Sequence, residues 1–119
     1  MDTPDLRLTI DQGNGICRVG FLDRQILDEA SVQMIAAAVC RLIDEADNPK
    51  MLISFEGVEH LSSAALGALI TINNKIKEKG GQLRLSDIEP RIYEIFQMTK
   101  LNQLFQIHEN AEQAAKSFQ

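Results

Sequence analysis

The 119-residue sequence has no tryptophan, few other aromatic residues and two cysteines, Cys17 and Cys40. These two are not spaced as a Cys-x-x-Cys pair and have apolar neighbours, so we expect buried, reduced thiols in a cytoplasmic protein. The first residues lack the basic stretch and apolar core of a secretory signal. No apolar run approaches the ~20 residues of a membrane-spanning helix, so we expect no membrane partner.

An excess of positive charge is also lacking. The formal net charge is −5 at pH 7, which disfavours a nucleic-acid partner. A small basic group, Lys75, Lys77, Lys79 and Arg84, is interpreted as solvating a helix end, where the dipole favours cations. Apolar residues make up 45% and charged residues 24% of the sequence, as expected for one folded domain over residues 1–119.

Signatures of cofactor and metal sites are missing as well. Gly13, Gly15 and Gly20 do not form a dinucleotide-binding pattern, and the sequence has no phosphate-binding Gly-x-x-x-x-Gly-Lys. His108 has acidic neighbours, but their spacing is not that of metal ligands, so we expect a surface role for it. The sequence therefore predicts no cofactor and no metal.

Alternating apolar residues predict a β-hairpin from Leu6–Ile10 and Ile16–Phe21. A helix follows, with Asp28 as its cap and with Leu27 packed against Val32. Its apolar residues recur at spacings of three and four, which predicts one buried stripe: Val32, Ile35, Ala36, Val39, Leu42, Ile43 and Ala46.

The middle of the chain predicts a strand, a helix and a second strand. Met51–Phe55 is an apolar run typical of a central strand. The helix begins at the pair Ser62-Ser63 and runs to about Lys79, where Gly80-Gly81 offers a left-handed terminus. A strand at Gln82–Ser86 follows.

Pro90 fits the first position of a third helix, whose apolar side we predict to be Ile92, Ile95, Phe96 and Met98. The segment Leu101–Ile107 is predicted to dock on the fold, with a short last strand as one alternative, and Asn110–Phe118 to form a final helix. The order β-β-α-β-α-β-α-(β)-α predicts an α/β fold with a mixed sheet of four or five strands and about four helices.

The candidate functional site is the run from Leu61 to Ala68, where a serine pair stands at a helix start. Helix N-termini carry unpaired N–H groups and the positive end of the dipole, so a phosphate there is physically favoured. Simple capping is the commoner use of such a serine. With two serines, Ser62 is the candidate cap and Ser63 the candidate phosphoacceptor.

The helix after the serines is apolar nearly all round in its first turns, so it is either buried on most sides or exposes a patch that receives a partner. Glu59 and His60 lie just before the serines. Sequence neighbours on a loop seldom form a catalytic triad, and no Gly-x-Ser-x-Gly elbow is present, so an enzyme is the least favoured hypothesis.

Residues 50–107 resemble a STAS domain of the anti-sigma factor antagonist type. The similarity rests on an ordered set: the strand Met51–Phe55, Gly57-Val58, the serine-containing helix start with Leu66-Gly67, Gly80-Gly81 and the following strand. The stretch Ile88-Glu89-Pro90, Ile95-Phe96, Thr99, Leu101 and Phe105 is similar to the third helix and closing segment of the family.

The resemblance implies a bacterial, non-enzymatic binding module with helices packed largely on one side of its sheet. Such antagonists bind an anti-sigma factor with serine-kinase activity and free the sigma factor. The kinase phosphorylates the antagonist, and a PP2C-type phosphatase reverses this. Alignment places the phosphoacceptor at Ser63, with Ser62 as the alternative. The predicted partner surface comprises Glu59, His60, Ser62, Ser63, Ala64, Leu66 and Gly67.

The sequence departs from the family pattern Asp-Ser-Ser/Thr-Gly-Leu-Gly at two positions. Ser62 stands at the usual Asp, which keeps a capping oxygen and loses a carboxylate, and Ala65 stands at a Gly. A second hypothesis is therefore a STAS scaffold or stress-signalling assembly subunit that is not switched by phosphorylation. Self-association is left open.

Overall fold

In the computed structural model, residues 8–13, 15–21, 25–26 and 29–118 are described. The predicted cap Asp28, with Leu27 and Leu6, lies outside them. The strands are β1 (Leu8–Gly13), β2 (Ile16–Phe21), β3 (Gln25–Ile26), β4 (Lys50–Ser54), β5 (His60–Leu61), β6 (Gln82–Ser86) and β7 (Gln106–His108). The helices are α1 (Glu29–Asp44), α2 (Ser63–Glu78), α3 (Pro90–Met98) and α4 (Ala111–Lys116), and a 3₁₀ turn spans Leu101–Gln103.

The main sheet has five strands in the order β1-β2-β4-β6-β7, and only β1 runs antiparallel to its neighbour. Each parallel step moves the chain in the same direction across the sheet. Since such crossovers are right-handed, helices α1, α2 and α3 are carried to one face. The predicted mixed sheet and the order of its five strands and the four helices are confirmed, including the short last strand.

The core lies between this helical face and the sheet. Its fully buried residues come from the central strands and all three helices, and include Met51, Ile53, Phe55, Leu85, Val39, Ile43, Ile72, Ile76, Ile92 and Phe96. The ring of Phe96 packs edge-on against Phe105, with centroids 6.0 Å apart, an aromatic geometry that adds to area burial. Met51–Phe55 is thus the central strand segment that its apolar run predicts.

Helix α4 covers part of the opposite face. Arg84 alternates with Leu83 and Leu85 along β6, so its side chain points away from the helical core. Its Nε donates to Ser117 Oγ at 2.8 Å, and its guanidinium lies 5.1 Å from the ring centroid of Phe118. These contacts fasten the end of α4 and the residues after it to the sheet.

Three details differ from the sequence predictions. Helix α1 ends at Asp44, so Ala46 follows the helix and is not part of its stripe. In α3, Ile92 and Phe96 are buried, whereas Ile95 is exposed and Met98 is 83% exposed, because a nine-residue helix turns only one narrow stripe to the core. The pair β3–β5, a parallel two-stranded sheet, was not predicted.

Candidate functional site at the start of helix α2

Ser62 is the N-cap of α2. Its backbone is extended, with φ −85° and ψ 165°, and its Oγ accepts a hydrogen bond from the N–H of Ala65 at 3.1 Å. Its carbonyl accepts from the N–H of Leu66 at 3.1 Å. The predicted cap is confirmed, and the hydroxyl of Ser62 is committed to the helix it starts.

Ser63 is the first residue of α2 and is exposed. Its hydroxyl makes no hydrogen bond within the described part of the chain. The first N–H groups of a helix have no partner inside the helix, and they make a favourable environment for an anion. No acidic residue lies in the first turn. A phosphate on Ser63 would therefore meet the positive end of the α2 dipole.

The first turns of α2 resolve the alternative that the sequence leaves open. The large apolar side chains are packed: Leu69 and Ile72 are buried and Leu66 is half-buried. The exposed stripe consists of small residues, Ser63, Ala64, Gly67 and Thr71. The helix is therefore a core helix on one side and presents a smooth, uncharged surface on the other.

Glu59 and His60 lie beside this stripe and are both exposed. The loop that carries them is anchored to the core by Val58, which is fully buried and whose N–H donates to Phe55 O at 2.9 Å. His60 also pairs with Gln25 in the β3–β5 sheet. All seven predicted partner-surface residues thus lie on one contiguous stretch, in which only Ser62 and Leu66 are half-buried rather than exposed.

Two members of the basic group, Lys75 and Lys79, lie at a helix end as predicted, and both contact the last residue of α1. Lys75 Nζ lies 3.2 Å from Asp44 Oδ1, and this hydrogen bond and charge raise the pKa of Lys75. Lys79 Nζ donates to the carbonyl of Asp44, the last residue of α1, at 3.2 Å. Arg84 does not belong with them: it is only 7% exposed and lies on the other face of the sheet.

Within the described part of the chain, the side chains near the serines do not form the contacts expected of a catalytic pair or a metal site. His60 and Ser63 make no side-chain hydrogen bond to each other, and among the described residues no cluster of His, Cys, Asp and Glu is placed to hold a metal ion. The surface role expected for His108 is wrong in part, because its Nε2 is buried and lacks a hydrogen-bond partner.

Sequence patterns do not reveal a polar cluster at the ends of β4 and β6. Asp87 has a left-handed backbone, with φ 58°, and its carboxylate accepts from Ser54 Oγ at 3.0 Å and from Ser86 Oγ at 2.8 Å. These bonds tie the two central strands together where the chain leaves β4 for the serine site. The loop after β4 is therefore anchored on both sides, by this cluster and by buried Val58.

The fold is a small α/β module, a mixed sheet with three helices on one face. Its candidate site is a capped helix start with an exposed serine. The family model described as STAS domain matches residues 18–114. The chain belongs to the STAS domain family. No helix in the described part of the chain is long and apolar enough to cross a membrane.

The relatives share the fold at low sequence identity. The chain is 23% identical over 109 residues to an anti-sigma F factor antagonist of Paenibacillus polymyxa, covering 89% of each protein. Among solved structures, an anti-sigma-factor antagonist (STAS) domain protein of Planctomyces limnophilus is 24% identical, with a TM-score of 0.80 over 90% of this chain and 92% of that one. The phosphorylated form of the Bacillus cell fate determinant SpoIIAA is 17% identical, with a TM-score of 0.70 over 92% and 96%.

Proposed function

We propose that this protein is an anti-sigma factor antagonist whose binding to an anti-sigma factor kinase is ended by phosphorylation of Ser63. The observation that carries the proposal is the difference between the two serines. Ser62 caps α2 through its Oγ, whereas Ser63 is exposed and its hydroxyl is accessible to modification. The antagonist names of similar proteins and the phosphorylated form of one structural neighbour support the same role.

Gly67 supports the location of the partner surface. A glycine inside a helix costs about 1 kcal/mol relative to alanine. The fold does not need it, since a Cβ added at Gly67 would meet no atom within 4 Å. Because Gly67 has no Cβ, a partner protein could approach the α2 backbone closely at this position. Ser63 lies one turn away on the same exposed stripe. The seven residues from Glu59 to Gly67 named above form the proposed contact.

Phosphorylation ends the interaction by adding charge where the partner packs. A phosphoserine carries about −1.5 to −2 charges at neutral pH. The free protein holds this charge at the helix N-terminus, where the dipole favours it. In the complex the phosphate would be desolvated against the partner, which is unfavourable unless the partner offers a cation. No refolding is required for the switch.

The proposed partners follow from this scheme. The anti-sigma factor supplies the kinase activity and binds the nucleotide, and a PP2C-type phosphatase restores the unmodified serine. The STAS module itself carries no catalytic step and needs no cofactor. Ser62 is the weaker acceptor candidate, because it is half-buried and its Oγ already accepts the bond from Ala65 N–H that starts α2, whereas Ser63 is exposed.

Binding of the purified anti-sigma factor kinase to three forms of the chain tests the proposal. Ser63→Asp should weaken the complex by roughly tenfold or more, because a charge is placed in the contact. Ser63→Ala keeps the surface neutral and should bind as the unmodified protein does. If Ser63→Asp binds with unchanged affinity, the surface serves a STAS scaffold that phosphorylation does not switch, the alternative favoured by Ser62 standing where the family pattern has Asp.

A further inference from the structure

A small cavity lies behind the serine site, between α1, α2 and the helical face of the sheet. We call it the α1–α2 cavity. On the sheet side it is bounded by Val19 of β2 and Ile53 of β4, and on the helix side by Val32, Ala65 and Leu69. These five residues are each no more than 6% exposed. The cavity therefore lies inside the core, behind the proposed partner surface.

The lining of the α1–α2 cavity consists of apolar side chains alone among the described residues. A water molecule at such a place finds no side chain to bond to, and apolar cavities of this kind stay dry. A polar or charged ligand would lose its hydration there without gaining hydrogen bonds in return, which is costly. The chemistry of the lining therefore favours an apolar occupant.

Short side chains create the cavity. Ala65 and Ala68 of α2 and Val32 of α1 line it, and the spacing between packed helices depends on the side chains at their contact. The rings of Phe21 and Phe55 bound the cavity on the sheet side. They pack against each other, with centroids 5.3 Å apart, and leave the space between the helices unfilled.

The size of the cavity limits the occupant to a compact molecule. About 30 Å³ is open to the centre of a water-sized molecule, whereas about 10–15 Å³ of such space admits a single water. The cavity therefore has room for a ligand somewhat larger than water. Atoms that face an empty space lose dispersion contacts on that side, and an apolar ligand of this size restores them.

The cavity comes nearest to solvent between the two helices. Ile35 of α1 and Ala68 of α2 both line it and are only half-buried. Leu61, another half-buried lining residue, directly precedes the N-cap Ser62. The N–H of Ala65 donates to Ser62 Oγ. An occupant of the cavity would thus contact residues on both sides of the cap.

We infer that the α1–α2 cavity is a binding site for a compact apolar molecule, which enters between Ile35 and Ala68 and packs against Leu61 and Ala65. Its binding energy comes from dispersion contacts and from apolar surface removed from water. The proposed switch at Ser63 does not use this site.

NMR of the full chain, labelled with ¹⁵N and with ¹³C in its methyl groups, under increasing xenon pressure tests this inference. Xenon is compact and apolar, and it enters dry apolar cavities. We expect the largest shifts at the methyl groups of Val32 and Leu69 and at the amide of Ala65. The methyl group of Met98, which is 83% exposed, reports contact with the surface and should shift little. Methanol, a small polar molecule, should leave the cavity methyl groups unshifted.

Variants that fill the cavity supply the control. Ala68→Val should weaken xenon binding by roughly tenfold or more, because the added methyl groups occupy the space that the ligand needs. Ala65→Val, at a buried position, should have the same effect. Ala37→Val makes the same change at an exposed position of α1, outside the residues that line the cavity, and should leave xenon binding unchanged.

Three results would overturn the inference: xenon shifts no larger at Val32 and Leu69 than at Met98, methanol shifts as large as those of xenon, or xenon binding that both filling variants leave intact. Ala65→Val is read only if its spectrum remains that of a folded chain, and Ala68→Val decides the question otherwise. None of these readouts involves the kinase, so their failure is distinct from failure of the proposed switch.

Discussion

At the residue scale, the two adjacent serines differ in their hydrogen bonding and exposure. Ser62 Oγ accepts from Ala65 N–H, and an alanine at this position would remove that bond. Ser63 is exposed and contributes little to the fold. The sequence predicts both assignments, because an extended residue followed by a helix selects the first serine as cap and leaves the second outside that bond.

Replacement of each serine by alanine should therefore give unequal results. Ser62→Ala should lower the free energy of unfolding by about 1 kcal/mol, the usual worth of an N-cap. Ser63→Ala should change it by less than about 0.5 kcal/mol, as surface substitutions do. Urea denaturation of the two variants measures the difference, and equal losses would contradict the assignment of the cap.

Ionisation of the two thiols makes the stability of the folded chain depend on pH. Burial raises the pKa of Cys17, and the charge of Asp11 adds to this; burial is also the main cause of the raised pKa of Cys40. An unfolded thiol ionises near pH 8.5. Because the folded chain holds the protons more tightly, this contribution to stability is complete below that pH and is lost as the pH rises through the folded-state pKa values.

Alkylation of the folded and the urea-unfolded chain between pH 7 and pH 10 checks this sign. The folded thiols should react more slowly at every pH, and their rates should rise at higher pH than those of the unfolded chain, because the thiolate is the reactive form. Coincident pH profiles for the two states would contradict the raised pKa values.

At the element scale, long periodic segments are predictable and very short ones are not. The hairpin, the three crossover units and Pro90 at the start of α3 all follow from local patterns. The two-residue strands β3 and β5 have no period to detect, and their pairing depends on where the tertiary fold places residues 25–26 and 60–61. Ile95 and Met98 continue the apolar spacing of α3, yet a short helix covers the core with Ile92 and Phe96 alone.

Two buried polar residues also left a signal in the sequence. Arg84 interrupts an otherwise apolar strand between Leu83 and Leu85, and Asn73 lies among the buried positions Ile72 and Ile76 of α2. Polar residues at core positions need partners. The faces on which they lie could not be predicted, because they depend on tertiary packing: Arg84 bonds to Ser117 on the face that α4 covers, whereas Asn73 lies on α2 on the opposite face.

Two glycines, Gly81 and Gly67, should respond in opposite directions to replacement by alanine. A Cβ at Gly81 would collide with the carbonyl oxygen of Pro49, so Gly81→Ala should lower the free energy of unfolding by about 1–3 kcal/mol. A Cβ at Gly67 would meet nothing within 4 Å, so Gly67→Ala should raise it by about 0.5–1 kcal/mol. Thermal unfolding of both variants gives the signs, and a destabilised Gly67→Ala would show that the fold itself requires this glycine.

At the scale of the whole molecule, one core joins the hairpin, the central strands and three helices, and α4 is fastened across the opposite face through Arg84 and Ser117. The prediction of one domain over residues 1–119 requires these parts to unfold together. Circular dichroism and the near-ultraviolet signal of Tyr93, which lies on α3, should therefore show coincident denaturant transitions. Separate midpoints would divide the chain into more than one cooperative unit.

The proposed function depends above all on which residue accepts the phosphate. The chain is incubated with its anti-sigma factor kinase and ATP, and the modified residue is located by mass spectrometry, with Ser63→Ala as the control. We expect one phosphate on Ser63 in the unaltered chain and none in the variant. A phosphate on Ser62, or no modification of the pair by a kinase shown to be active, would contradict it.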